Sequence, residues 1–139
     1  MFRSQATGVA YADPVFTNMK MDYVPTNIDV TATALASQVA AGYITSTSAA
    51  AVTITLPTGT LLGAYLGAKR GSVFELYIDN TLGANTVTIA VATNGILSDA
   101  AATTAASFGQ LTVASGATGL ARFTLMFSSA TAYAFTRTA

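Results

Sequence analysis

The sequence predicts a mainly β fold: an antiparallel β-sandwich or jelly-roll-like domain with two short helices and an extended N-terminal arm. Three observations predict it. Val52-Thr53-Ile54-Thr55-Leu56, Val73-Phe74-Glu75-Leu76-Tyr77-Ile78-Asp79 and Thr86-Val87-Thr88-Ile89-Ala90-Val91 alternate apolar with polar side chains, the period of a half-buried strand. Roughly eight short runs of this kind follow one another at close spacing with turn residues between them, the rhythm of a sandwich. At 139 residues the chain has the length of one domain, and it can bury a core without disulfides.

Residues 1–27 show no sustained period and carry Pro14 and Pro25, so they read as an extended arm. Val15, Phe16, Met19, Met21, Tyr23 and Val24 are too many apolar residues for a solvated tail. They are the candidate contact residues, laid against either the chain's own domain or a neighbouring chain. Residues 28–139 form the single sandwich domain. It opens with a short strand over 28–31 and a helix over about 34–41 that stops at Gly42, with Leu35 and Val39 seating one face on a sheet. Strands follow at 43–45 and 52–56, and Pro57 ends the second. Thr58 or Thr60 caps a second helix running to Ala68, whose apolar face is Leu61, Leu62, Tyr65 and Leu66. Gly63 and Gly67 allow close packing there, Lys69 and Arg70 sit at the negative end of the helix dipole, and Gly71 is the stop.

In the strand over 73–79, Phe74, Leu76 and Ile78 face one way, and Glu75 and Tyr77 the other. The turn residues of 79–85 predict that the strand over 86–91 returns antiparallel to its predecessor. Asn94-Gly95 marks another turn, 96–107 a loop, 108–113 a weaker strand and 114–119 a connection. The last strands are 120–127, with Phe123, Leu125 and Phe127 sharing a face, and 132–137, with Tyr133 and Phe135 inward.

Composition narrows the function. Charged residues are 9% of the chain and hydrophobic ones 52%, with formal net charge zero and a mean hydropathy of +0.52. So little charge does not keep copies apart, and the apolar excess is expected to end at subunit interfaces of a homo-oligomer. Six scattered basic residues give no footprint for nucleic acid. The apolar runs are too short to span a bilayer, and the N-terminus lacks the pattern of a secretory signal. No membrane contact is expected.

Histidine and cysteine are absent, which removes the commonest general base, the thiol nucleophile and the preferred zinc ligands. The six carboxylates, Asp13, Asp22, Asp29, Glu75, Asp79 and Asp99, suit turns better than a glycosidase pair, and there is no Trp to stack a sugar. Asp79-Asn80 with Asp99 does not concentrate enough acid for calcium, and the glycines of 59–67 lack the Gly-Lys-Ser/Thr ending of a phosphate loop. The expectation is a non-enzymatic protein with no metal and no cofactor.

The order Thr33-Ala34-Leu35-Ala36-Ser37-Gln38-Val39-Ala40-Ala41-Gly42-Tyr43-Ile44, then Ala51-Val52-Thr53-Ile54-Thr55-Leu56-Pro57-Thr58, then Gly71-Ser72-Val73-Phe74-Glu75-Leu76-Tyr77-Ile78-Asp79-Asn80 and Ala84-Asn85-Thr86-Val87-Thr88-Ile89, resembles small virion proteins of tailed bacteriophages. Leu76 stands where that pattern has a second aromatic residue. The resemblance implies a capsid decoration or cement protein, or the base of a head fibre. Such a protein is made in the host cytoplasm and carried on the outer surface of the head as a trimer bound to the major capsid protein. A tail or fibre component that recognises host-surface glycan through 79–85 and 96–107 is the alternative.

Overall fold

The computed structural model describes residues 22–97 and 111–139. Strands dominate, arranged in two mixed sheets. In chain order the elements are β1 (Thr26–Asn27), β2 (Ala32–Thr33), α1 (Ala36–Ala40), β3 (Tyr43–Thr45), β4 (Val52–Thr55), α2 (Gly59–Leu66), β5 (Val73–Asp79) and β6 (Val87–Ala90). Then come β7 (Gly95–Leu97), β8 (Thr112–Val113), a 3-10 turn (Gly116–Thr118), β9 (Leu120–Ser129) and β10 (Ala132–Arg137). One sheet has the order β1-β3-β5-β9-β10-β7 and the other β2-β4-β6-β8.

Up to β8 the chain alternates between the sheets, odd strands in the larger and even strands in the smaller. From β1 to β6 each strand therefore reaches its sheet neighbour after a crossover through the other sheet, the kind of connection that a parallel pair needs. Thus β1, β3 and β5 run parallel, as do β2, β4 and β6. The antiparallel pairing expected from the sequence holds for β5 with β9, β9 with β10 and β6 with β8. It fails for the five parallel pairs, β10 with β7 among them, and the strand over 86–91 does not return beside its predecessor: β6 lies beside β4 in the smaller sheet and not beside β5. The turn residues after Asp79 carry the chain from one sheet to the other, a job that uses the same residue types as a hairpin.

One core draws on both sheets and both helices. Ile44, Leu76, Ile78, Phe123, Leu125, Phe127, Tyr133 and Phe135 come from the larger sheet, Val52, Ile54, Val87, Ile89 and Val113 from the smaller, and Val39 and Leu62 from the helices. Alternation decides this: in β5 Leu76 and Ile78 are buried while Val73 and Glu75 are exposed. Phe123 and Phe135 stack with ring centroids 4.8 Å apart and planes 11° from parallel. The Tyr133 hydroxyl crosses from β10 to donate to the carbonyl of Pro57, just past β4, at 2.8 Å. Burial pushes that phenol's pKa well above its ordinary value.

Local differences from the sequence reading have local causes. The first strands fall at 26–27 and 32–33, either side of the segment 28–31, because Asp29 gathers hydrogen bonds from Thr47 N and Oγ1 and from Asn27 Nδ2 and shapes a connection there. The sheet thus begins within the last two residues of the segment read as an arm. α2 stops at Gly67, at φ 62°, and not at Gly71, so Lys69 and Arg70 lie beyond the helix. Residues 96–97, read as loop, belong to β7 and pair with β10. The rest of that loop and residues 108–110 of the weaker strand lie outside the described residues.

Gly63 sets how α2 sits. A Cβ there would come 1.9 Å from the carbonyl oxygen of Ala130 in the β9–β10 turn, and one at Gly59 would come 2.2 Å from that of Thr131. Gly63→Ala must push helix and turn apart, and it is expected to cost about 1–3 kcal/mol in urea unfolding despite Ala's better helix propensity.

Candidate subunit-contact surface

α2 begins where Thr58 Oγ1 accepts the amide hydrogen of Leu61 at 3.2 Å, an N-cap for one orphan donor. It ends in a left-handed glycine, with Ala68 N bonded to Gly63 O at 2.9 Å. Because the glycine side of the helix meets the β9–β10 turn, the inward positions are Gly59, Leu62, Gly63 and, in part, Leu66. Leu61, Ala64 and Tyr65, three and four residues apart, are then forced onto the opposite side. The four residues read as a single apolar face are divided: Leu62 is fully buried, while Leu61 and Tyr65 are 62% and 59% exposed.

α1 contributes a second exposed apolar group. Gln38 Oε1 accepts the Leu35 amide hydrogen at 2.8 Å, fixing Leu35 as the residue that precedes the helix. Val39 goes into the core, but Leu35 is left 64% exposed, contrary to the shared face expected of the pair.

Between the two helices these residues line a groove of about 630 Å³. Leu35 and Ala36 form one side, Leu61, Ala64 and Tyr65 the other, with Ala34, Pro57 and Ala92 among the remaining lining residues. Among the described residues, Thr33 and Thr58 are the lining's polar side chains apart from the Tyr65 hydroxyl, and no charged residue takes part. Such a surface offers dispersion and hydrophobic contact and nothing that moves a proton. Burying Leu or Tyr side chains of this size against a partner stabilises by about 1.5–3 kcal/mol each before ordering costs.

The contact residues expected from the sequence are placed as follows. Val15, Phe16, Met19 and Met21 lie outside the described residues. Val24 is 73% exposed. Tyr23 turns back on its own domain, its ring 5.6 Å from that of Tyr77 and 6.4 Å from that of Tyr43. The groove was not legible as a site because Leu35, Leu61 and Tyr65 fit the pattern of core residues. Only the glycine spacing at 59 and 63 hints that α2 turns its other side inward.

The carboxylates are spread over connections and the outer sheet face. Asp29 is held below its ordinary pKa chiefly by the hydrogen bond from Thr47 N, with Asn27 adding to it. At Asp79 desolvation pulls the pKa upward, but hydrogen bonds from Thr81 and from the Tyr43 hydroxyl outweigh it and leave the pKa lowered. Glu75 and Asp22 are exposed, and Asp13 and Asp99 lie outside the described residues. Among the described residues no three acidic, His or Cys side chains gather as a metal would need. No described helix is long and apolar enough to cross a membrane. Comparison of the chain with protein-family models, curated proteins and solved structures finds no match.

Proposed function

We propose that the chain is a structural virion protein, a decoration or cement protein that binds the outer surface of a tailed-phage head as a trimer and ties capsid subunits together. The observation that carries this reading is the uncharged groove between α1 and α2, where Leu35, Leu61 and Tyr65 stand exposed together. Exposed apolar side chains gathered in one place mark a contact surface. On a chain with so little charge, a second copy meets no electrostatic barrier there. Head-to-tail use of one groove closes into a three-membered ring when each copy is turned a third of a revolution from the last. The arm residues Val15, Phe16, Met19, Met21 and Val24 then reach for the major capsid protein, while Tyr23 anchors the arm's end to its own sheet. The two sheets serve as the layers of a sandwich closed on the shared core. Each copy adds a modest buried area, and many copies together resist the pressure of packaged DNA. Catalysis has no part in this reading, nor has a metal or a cofactor.

Sedimentation of the full chain tests it, with Leu61→Asp/Tyr65→Asp as the comparison. The wild type is expected to run as a trimer, and the double variant as a monomer whose circular dichroism is unchanged, since both positions are exposed, and whose unfolding midpoint falls by what the subunit contacts contributed. A wild-type chain that stays single at high concentration refutes the proposal. Copy number separates head from tail: hundreds per particle fit the shell, and a handful means a tail or fibre component.

A further inference from the structure

The outer face of the larger sheet, turned away from the core, has its own chemistry. Alternation places Tyr43 and Thr45 of β3, Glu75, Tyr77 and Asp79 of β5, and Arg122 and Thr124 of β9 on this side. The register sets them in rows: Tyr43 beside Tyr77 beside Arg122, Thr45 beside Asp79, and Glu75 beside Thr124. Tyr23 completes an aromatic cluster. Its ring lies so close over Gly42 that a Cβ there would come 2.7 Å from it, and Gly42 has φ +81°. The Tyr43 and Tyr77 rings are 6.3 Å apart and 25° from parallel, Tyr23 and Tyr43 are 28° from parallel, and Tyr23 tilts 52° to Tyr77. All three rings are half-buried, so the sheet holds them from beneath and leaves part of each open. The cluster is braced at one end, where the Tyr43 hydroxyl donates to Asp79 Oδ2 at 2.8 Å while Asp79 Oδ1 accepts from Thr81 N and Oγ1.

We infer that this face binds carbohydrate, an uncharged oligosaccharide lying across the three tyrosines. A sugar ring has one apolar C–H face and a rim of hydroxyl groups, so it needs a firm aromatic surface bordered by hydrogen-bonding side chains. Tyrosine supplies area with a polar tip and little conformational freedom to lose. Glu75 and Asp79 accept hydroxyl hydrogens, and Arg122, whose Nε donates to Thr138 Oγ1 at 3.2 Å, offers its terminal nitrogens to hydroxyl oxygens. Thr45, whose hydroxyl donates to Asn27 Oδ1 at 2.9 Å, is left as an acceptor, and Thr124, 3.4 Å from Thr138 Oγ1, does either.

The charges decide against other occupants. Two carboxylates against one guanidinium repel a phosphate backbone, so stacking of nucleic-acid bases is disfavoured. An apolar peptide would strand Glu75 and Arg122 away from water. Asp79 is the one residue this face shares with the 79–85 turn expected to carry glycan recognition, and the inference does not depend on the structural role above.

The full chain is titrated by NMR and on immobilised probes with neutral oligosaccharides: β-glucans, mannans and N-acetylglucosamine oligomers, with single-stranded DNA as a control. At least one sugar class is expected to bind and to shift the Tyr43, Tyr77 and Arg122 resonances. Tyr77→Ala is expected to weaken binding about tenfold, the loss of one ring contact. Arg122→Ala, which leaves the aromatic cluster intact, keeps the test sharp if the tyrosine variant unfolds, and it should weaken binding too. Leu61→Asp/Tyr65→Asp should leave it unchanged. No binding by any of these sugars, binding that survives both face variants, or tighter binding to DNA than to every sugar overturns the inference.

Discussion

Asn80→Ala should be among the most damaging single changes in the chain, with an expected loss of about 3 kcal/mol or more in chemical unfolding. Asn80 is fully buried at the end of β5, and its side-chain nitrogen faces three backbone carbonyls: Asn85 at 2.8 Å, Val113 at 3.0 Å and Ala114 at 3.1 Å. Its backbone N–H donates to Gly119 O at 2.7 Å, and its carbonyl accepts from Gly83 N at 3.1 Å. One residue thus ties the larger sheet to the connection before β6 and to the strand after it in the smaller sheet. Truncation leaves buried acceptors without a donor, each costing about 1–3 kcal/mol.

Asn80→Asp separates the loss of a donor from the loss of volume. It keeps the shape but aims a carboxylate at three carbonyl oxygens, so its pKa in the folded protein must rise above the unfolded value. The variant's stability is then greatest at low pH and falls as pH climbs above the ordinary carboxylate range. An Asn80→Asp protein equally stable at pH 4 and pH 8 would contradict this account of the hub.

Phe123→Ala is expected to cost about 3–5 kcal/mol. The Phe123 ring is fully buried against Phe135, and β9 lies in the middle of the larger sheet between β5 and β10. A cavity there has walls on several sides that cannot all collapse inward. Phe123→Leu, nearer in volume, should lose far less, and fluorescence and circular dichroism should report one coincident transition for each variant. A loss of less than about 1 kcal/mol for the alanine variant would mean that the sheets close over the gap, a softer core than the stacked pair suggests.

Strand positions were legible because a period of two is written directly in the side chains. Val52 to Thr55, Val73 to Asp79 and Ala132 to Arg137 fall within a residue of where the sequence puts them. Pairing was not legible. Alternation says which side chains turn inward but not which strand lies alongside, and the residues after Asp79 look the same whether the chain reverses in its own sheet or crosses to the other. The surfaces were hidden for a related reason. Leu61 and Tyr65 look like core until Gly59 and Gly63 are seen to face the β9–β10 turn, and Tyr23, Tyr43 and Tyr77 are far apart in the chain until the parallel register of β3 and β5 brings the last two together. Asn80, read as one more turn residue, is a hub because its neighbours come from both sheets.

The strand order of the larger sheet sets a schedule for assembly. β9 and β10 follow every other described strand of that sheet in the chain, yet they occupy its interior, between β5 on one side and β7 on the other. Until β9 and β10 have left the ribosome, β5 has one open edge and β7 lacks its one neighbour among the described strands, so a nascent or clipped chain exposes the kind of strand edge that recruits other chains. With so few charges to hold such fragments in solution, loss of β9 and β10 should send the product to the insoluble fraction.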